Sequence, residues 1–168
     1  MKKKRDKAYV PKRNFGGGGL LALLRIEARA ENASPLREDQ ISDLGRNYWL
    51  SFTNLTQGSA SFESWENCVG SLNMGLVLAE KVFEGQGEDE MVAALDGLFK
   101  AKQRGDKTGR YRLDGDGIQA VRISLEIHDQ QMKLAHRREI VDAIATVKQR
   151  VEDGNVYQSE ALQTQPHQ

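Results

Sequence analysis

The chain has 168 residues, 39% hydrophobic and 29% charged, with 24 Lys/Arg balanced by 24 Asp/Glu. That length and composition suit one globular domain with a sizeable core, and exclude a chain disordered throughout. A single cysteine, Cys68, excludes an intrachain disulfide, and no stretch approaches the roughly 18 apolar residues of a membrane span.

The balanced total hides a segregated distribution. Residues 1–15 hold seven bases (Lys2, Lys3, Lys4, Arg5, Lys7, Lys12 and Arg13) against Asp6, a net of +6. Pro11 and the four glycines Gly16 to Gly19 oppose regular structure there, so residues 1–19 read as a flexible basic arm. Its apolar follow-on, Leu20-Leu21-Ala22-Leu23-Leu24, is interrupted by Arg25 and Glu27 and has no cleavage-site pattern, which does not fit a secretory leader. With one cysteine, the expected location is the cytoplasm.

Residues 20–30 form a short amphipathic helix on this reading, with Leu20, Leu23, Leu24 and Ile26 inward. Ser34-Pro35 predicts the start of the next helix, Ser as N-cap and Pro at the first helical position. Its stripe is Ile41, Leu44, Tyr48, Phe52 and Leu55 with Trp49 alongside, and Gly58 closes it. Over residues 61–84, Phe62, Trp65, Val69, Leu72, Leu76, Ala79 and Phe83 recur at alternating spacings of three and four, the period of one helix face against a partner. Gly85 and Gly87 stop this helix; Gly70 and Gly75 within it mark close helix approach.

A helix over residues 88–103 carries Met91, Leu95, Leu98 and Phe99 inward, acids in its first turn and bases at its end, as the helix dipole favours. A loop over 105–117 follows, then helical spacing through Ile118, Val121, Leu125, His128 and Met132, and again through Ile140, Ile144, Val147 and Val151. The register shifts near residues 134–137, leaving one kinked helix or two. Gly154 ends the pattern, and residues 155–168 read as a disordered polar tail. The expected architecture is all-α: a single-domain bundle of five to six helices over residues 20–154.

No catalytic constellation accompanies these elements. Asp114-Gly115-Asp116-Gly117 superficially suggests a calcium loop, but aligning Gly117 with its invariant glycine puts Arg112 and Ile123 at the first and twelfth ligand positions. A helix N-cap at Asp114 or Asp116 is the simpler reading. His128, Met132 and His136 could share a helix face, yet no motif supplies further ligands, so no metal or cofactor is expected. Cys68, near Glu66, lacks the positive surroundings that a reactive thiolate needs.

Two charge clusters remain. Residues 59–98 carry eight acids against Lys81, a net of −7, and Glu80, Glu84, Glu88, Asp89, Glu90 and Asp96 offer an acidic face to a basic protein groove. Residues 100–112 return to +5 through Lys100, Lys102, Arg104, Lys107, Arg110 and Arg112. With the arm, these bases could form a nucleic-acid surface, for DNA or RNA, with Tyr9 and Phe15 available to stack on bases.

The chain order Lys4-Arg5, Tyr9-Val10-Pro11-Lys12, Leu55-Thr56-Gln57-Gly58, Leu72-Asn73, Leu78-Ala79-Glu80, Thr108-Gly109-Arg110 and His128-Asp129-Gln130-Gln131 resembles small phage- and prophage-borne proteins of proteobacterial mobile elements. Residues 16–32 depart from that group. The resemblance implies a bacterial setting and brings no catalytic residues. Together these features lead to the expectation of a non-enzymatic accessory protein that binds a host protein through its acidic face, with nucleic-acid binding as the alternative. Homo-oligomerisation is left open.

Overall fold

The computed structural model describes residues 34–154. The basic arm, the helix expected over 20–30 and the polar tail lie outside these residues. The described chain is all-α, with five helices: α1 Glu38–Gln57, α2 Phe62–Lys81, α3 Glu88–Thr108, α4 Gly115–Leu134 and α5 Arg137–Glu152.

Side-chain pairings give the topology. Cys68 reaches the Tyr48 carbonyl and Asn67 reaches Ser51, so α1 and α2 are antiparallel. Trp65 bonds the Leu98 carbonyl, and Gly75 lies against Met91, which makes α2 and α3 antiparallel. Ser124 bonds the Glu90 carbonyl while Arg104 meets Asp114, which does the same for α3 and α4. Asp129 holds Tyr48 and Trp49, and Leu113 donates to the Leu55 carbonyl, closing α4 back onto α1. The first four helices thus make an up-down-up-down bundle, and α5 packs on α2.

The sequence assigns α2 one apolar face, but the structure surrounds it. Trp65, Val69, Leu72 and Leu76 join the main core with Leu55, Leu95 and Leu125; Met74, Val77 and Leu78 face a second core formed with Ile140, Ile144 and Val147. Both sides of one helix are buried because α5 covers the back that a four-helix bundle would leave exposed. Gly75 marks a close approach, as expected: a Cβ there would stand 2.9 Å from Met91 Cε.

Several boundaries differ from expectation for identifiable reasons. Ser34-Pro35 does not cap α1, whose N-cap is Arg37. Pro35 instead bridges to His136, and the Ser34 carbonyl accepts the Arg137 N–H at 2.9 Å. That extended route buries Leu36 in the second core. Helix α3 runs a further turn beyond residue 103, since Gly105 leaves room for the Tyr111 ring and Gly109 ends the helix at φ +74°. The break near residue 135 separates two helices: Ala135 and His136 are extended, so His136 leaves the face it was expected to share with His128. Asp114 is the N-cap of α4, accepting the Gly117 N–H at 2.8 Å.

Candidate functional site

The antiparallel order sends the two charge clusters to opposite ends of the bundle. The α2–α3 turn, with the acids, shares an end with the start of α1 and the end of α4. The α3–α4 loop, with the bases, shares the other end with the α1–α2 connection, to which Tyr111 is bridged through Ala60. Helix α3 has 21 residues, so about 31 Å of helix at about 1.5 Å per residue separates its two ends.

At the acidic end the turn is held in one shape by its own backbone. Glu84 sits at φ 52°, a left-handed conformation costly for a side chain with a Cβ, followed by Gly85 at φ 85° and Gly87 at φ 83°. Gly85 donates to the Ala79 carbonyl at 2.7 Å, and Gln86 to that of Phe83 at 2.9 Å. A Cβ on Gly87 would stand 2.9 Å from Ile127 Cγ2, so the turn also packs on α4. Glu84, Asp89 and Glu90 are exposed and Glu88 is half-buried. The sixfold acidic set is not one surface. Glu80 forms a two-pronged ion pair with Arg150 that ties α2 to α5, and Asp96 lies half-buried two turns along α3.

At the basic end the structure also divides the predicted set. Lys102 pairs with Asp106, and its ammonium lies 6.0 Å from the Phe62 ring centre and 5.9 Å from that of Trp65. Arg104 bonds Asp114 and, at 2.9 Å, the Arg112 carbonyl, which closes the loop. These two bases serve the fold. Lys100, Lys107, Arg110 and Arg112 are exposed. Tyr111, between two of them, is half-buried against Phe62 with its hydroxyl on Asp106, so its ring is partly committed to packing. The arm bases, Lys2 through Arg13, lie outside the described residues.

A third cluster was not legible in the sequence. Asp129 accepts from both the Tyr48 hydroxyl and the Trp49 indole N–H, the latter at 3.0 Å. Its neighbour His128 is fully buried, with its ring centre 5.4 Å from that of Tyr48. Gln131 donates from Nε2 to the Gly75 carbonyl at 3.0 Å, so its Oε1 is free to accept from His128 Nδ1, 3.3 Å away. This assigns the Nδ1–H tautomer and leaves His128 Nε2 a buried acceptor without a hydrogen bond. Burial holds the imidazole neutral, lowering its pKa to about 4 despite the Gln131 bond and the Asp129 charge. Tyr48 is pushed well above the ordinary phenol range by burial and by Asp129. The cluster joins α1, α2 and α4 from positions about 80 residues apart, and no substrate reaches the His128 ring while the bundle is closed.

Cys68 is fully buried and donates to the Tyr48 carbonyl; burial, rather than nearby carboxylates, raises its pKa. Among the described residues no group of three or more His, Cys, Asp or Glu could hold a metal ion, and no helix is long and apolar enough to cross a membrane. Comparison with protein-family models, with curated proteins and with solved structures finds no match.

Proposed function

We propose that this chain is a non-enzymatic accessory protein of a phage or mobile element, working in the bacterial cytoplasm by binding a basic surface of a host protein at its acidic end. The observation that carries the reading is the α2–α3 turn, where Glu84, Glu88, Asp89 and Glu90 fall within seven residues on a backbone held by its own hydrogen bonds. A turn whose backbone is already held has less conformational freedom to lose on meeting a complementary groove, and the charge of its carboxylates contributes to association rate and orientation. Nucleic-acid binding is the second reading, favoured by exposed Lys100, Lys107, Arg110 and Arg112 at the other end and by the seven bases of the arm.

Two charge variants of the full chain separate the readings. Glu84→Gln/Glu88→Gln/Glu90→Gln should lose a protein partner captured from bacterial lysate at low salt and keep any affinity for labelled DNA or RNA. Lys100→Gln/Lys107→Gln/Arg110→Gln should do the reverse, and its nucleic-acid affinity should depend less steeply on salt. If the acidic variant retains the same partner with unchanged affinity, the leading reading fails.

A further inference from the structure

Helix α3 turns Met91, Leu95 and Leu98 into the main core and sets Gly97 against Gly117 of α4. Away from that side runs a row of six residues: Asp89, Ala93, Asp96, Lys100, Gln103 and Lys107. Asp96 is half-buried and the other five are exposed. Their spacings alternate between four and three, as at the seam positions of a coiled coil. At about 100° per residue, all six stay within about 80° of arc along about 27 Å of helix.

The charges of this row are opposite on the two sides of Leu98. Acids stand nine and two positions before it, bases two and nine positions after it, with Ala93 and Gln103 five positions to either side. Laid antiparallel on the α3 of a second copy, with a two-fold axis at residue 98, Asp89 meets Lys107, Asp96 meets Lys100 and Ala93 meets Gln103, each pair twice. A parallel pairing sets Asp on Asp and Lys on Lys. Asp89 and Asp96 also have contacts within their own chain, but a carboxylate accepts several hydrogen bonds and can take a lysine in addition. With 24 bases and 24 acids, the chain has no net charge to oppose self-association. We propose that two copies of this chain pair through the outer faces of their α3 helices, antiparallel, as a two-fold dimer held by ion pairs. Ala93 is the one apolar position of the row, and exposed ion pairs contribute little each, so the dimer is weak and sensitive to salt. Lys100 and Lys107 face the second copy in it, so a polyanion competes with dimerisation. The inference rests on neither binding reading.

Sedimentation equilibrium of the full chain tests it. A reversible monomer–dimer equilibrium is expected at low salt, with a dissociation constant about tenfold higher or more at high salt. Lys100→Glu/Lys107→Glu makes the row wholly acidic and should leave only monomer; Asp89→Lys/Asp96→Lys makes it wholly basic and should do the same. An equimolar mixture of the two variants should form a heterodimer, because every opposed pair is again of unlike sign. Single cysteines on the otherwise wild-type chain give the direction. Ala93→Cys mixed with Gln103→Cys should form a disulfide-linked dimer about tenfold faster than either does alone. Native Cys68 is fully buried and does not compete. The proposal is overturned by a wild type that stays monomeric at millimolar concentration and low salt, or by a dimer that survives Lys100→Glu/Lys107→Glu, as pairing through the basic arm would. A mixture of folded charge variants that stays monomeric, or Ala93→Cys linking to itself as fast as to Gln103→Cys, would also overturn it.

Discussion

The buried His128 makes folding depend on pH in a way that one substitution should remove. In the folded chain its pKa is lowered to about 4 from an ordinary 6.5, because burial disfavours the imidazolium. A base with a depressed folded pKa leaves the unfolded state binding more protons between the two values. Stability is therefore fully present above pH 6.5 and falls on acidification at about 1.4 kcal/mol per pH unit until the folded form also protonates. Between pH 7 and 4.5 the loss from this one group is about 2 kcal/mol, a large share of the 5–15 kcal/mol of a typical domain. Urea unfolding followed by tryptophan fluorescence across that range measures it. His128→Asn keeps a donor toward Gln131 Oε1 but cannot titrate. The variant will be less stable at pH 7, having lost the ring against Tyr48, but its stability should fall less steeply with acid. Carboxylates contribute to both curves, so the comparison rests on their difference. Parallel curves for wild type and variant would refute the reasoning.

Glycine substitutions should show opposite signs. A Cβ on Gly97 would stand 2.9 Å from the Gly117 Cα, backbone that cannot step aside, so Gly97→Ala should destabilise by about 1 kcal/mol or more despite a propensity gain of similar size. Gly115→Ala, with nothing within 4 Å, should be neutral or raise the melting temperature. Cys68 should resist a thiol reagent in the native state and react at a rate set by global unfolding; rapid native labelling would contradict its burial. Glu80→Gln should cost about 1 kcal/mol by leaving Arg150 half-buried and short of its partner, with a smaller cost in high salt, as read from urea midpoints.

Much of the bundle was legible because most helices bury one stripe, and α1 and α3 end at glycines. Leu44, Tyr48, Phe52 and Leu55 recur at the helical period, and Gly58, which closes that pattern in the sequence, caps α1 at φ +76°. Helix α2 was harder. The strongest spacing in α2 picks out one face, whereas Met74, Val77 and Leu78 pack on a second partner, α5, which periodicity within α2 cannot name. Ser34-Pro35 matched a helix-start signature, yet burying Leu36 and bridging His136 decided its conformation.

The charge clusters show the same division between local and long-range information. The acids mark the start of α3, as the helix dipole favours, whereas the bases begin two turns before its end at Thr108 and run on into the loop. They do not say which charges the fold consumes. Glu80 meets Arg150 across 70 residues, and Arg104 meets Asp114 across the loop, so each cluster presents fewer free charges than its composition implies. The number that remains matters more for binding than the net charge of the segment. A polyanion contacting Lys107, Arg110 and Arg112 meets Asp106 and Asp114 beside them, whereas a basic partner at the α2–α3 turn meets carboxylates in its first approach. Each end therefore carries both signs, since exposed Lys81 is the last residue of α2 beside the acidic turn, and the protein-binding reading rests on the hydrogen-bonded backbone of that turn rather than on a field of one sign.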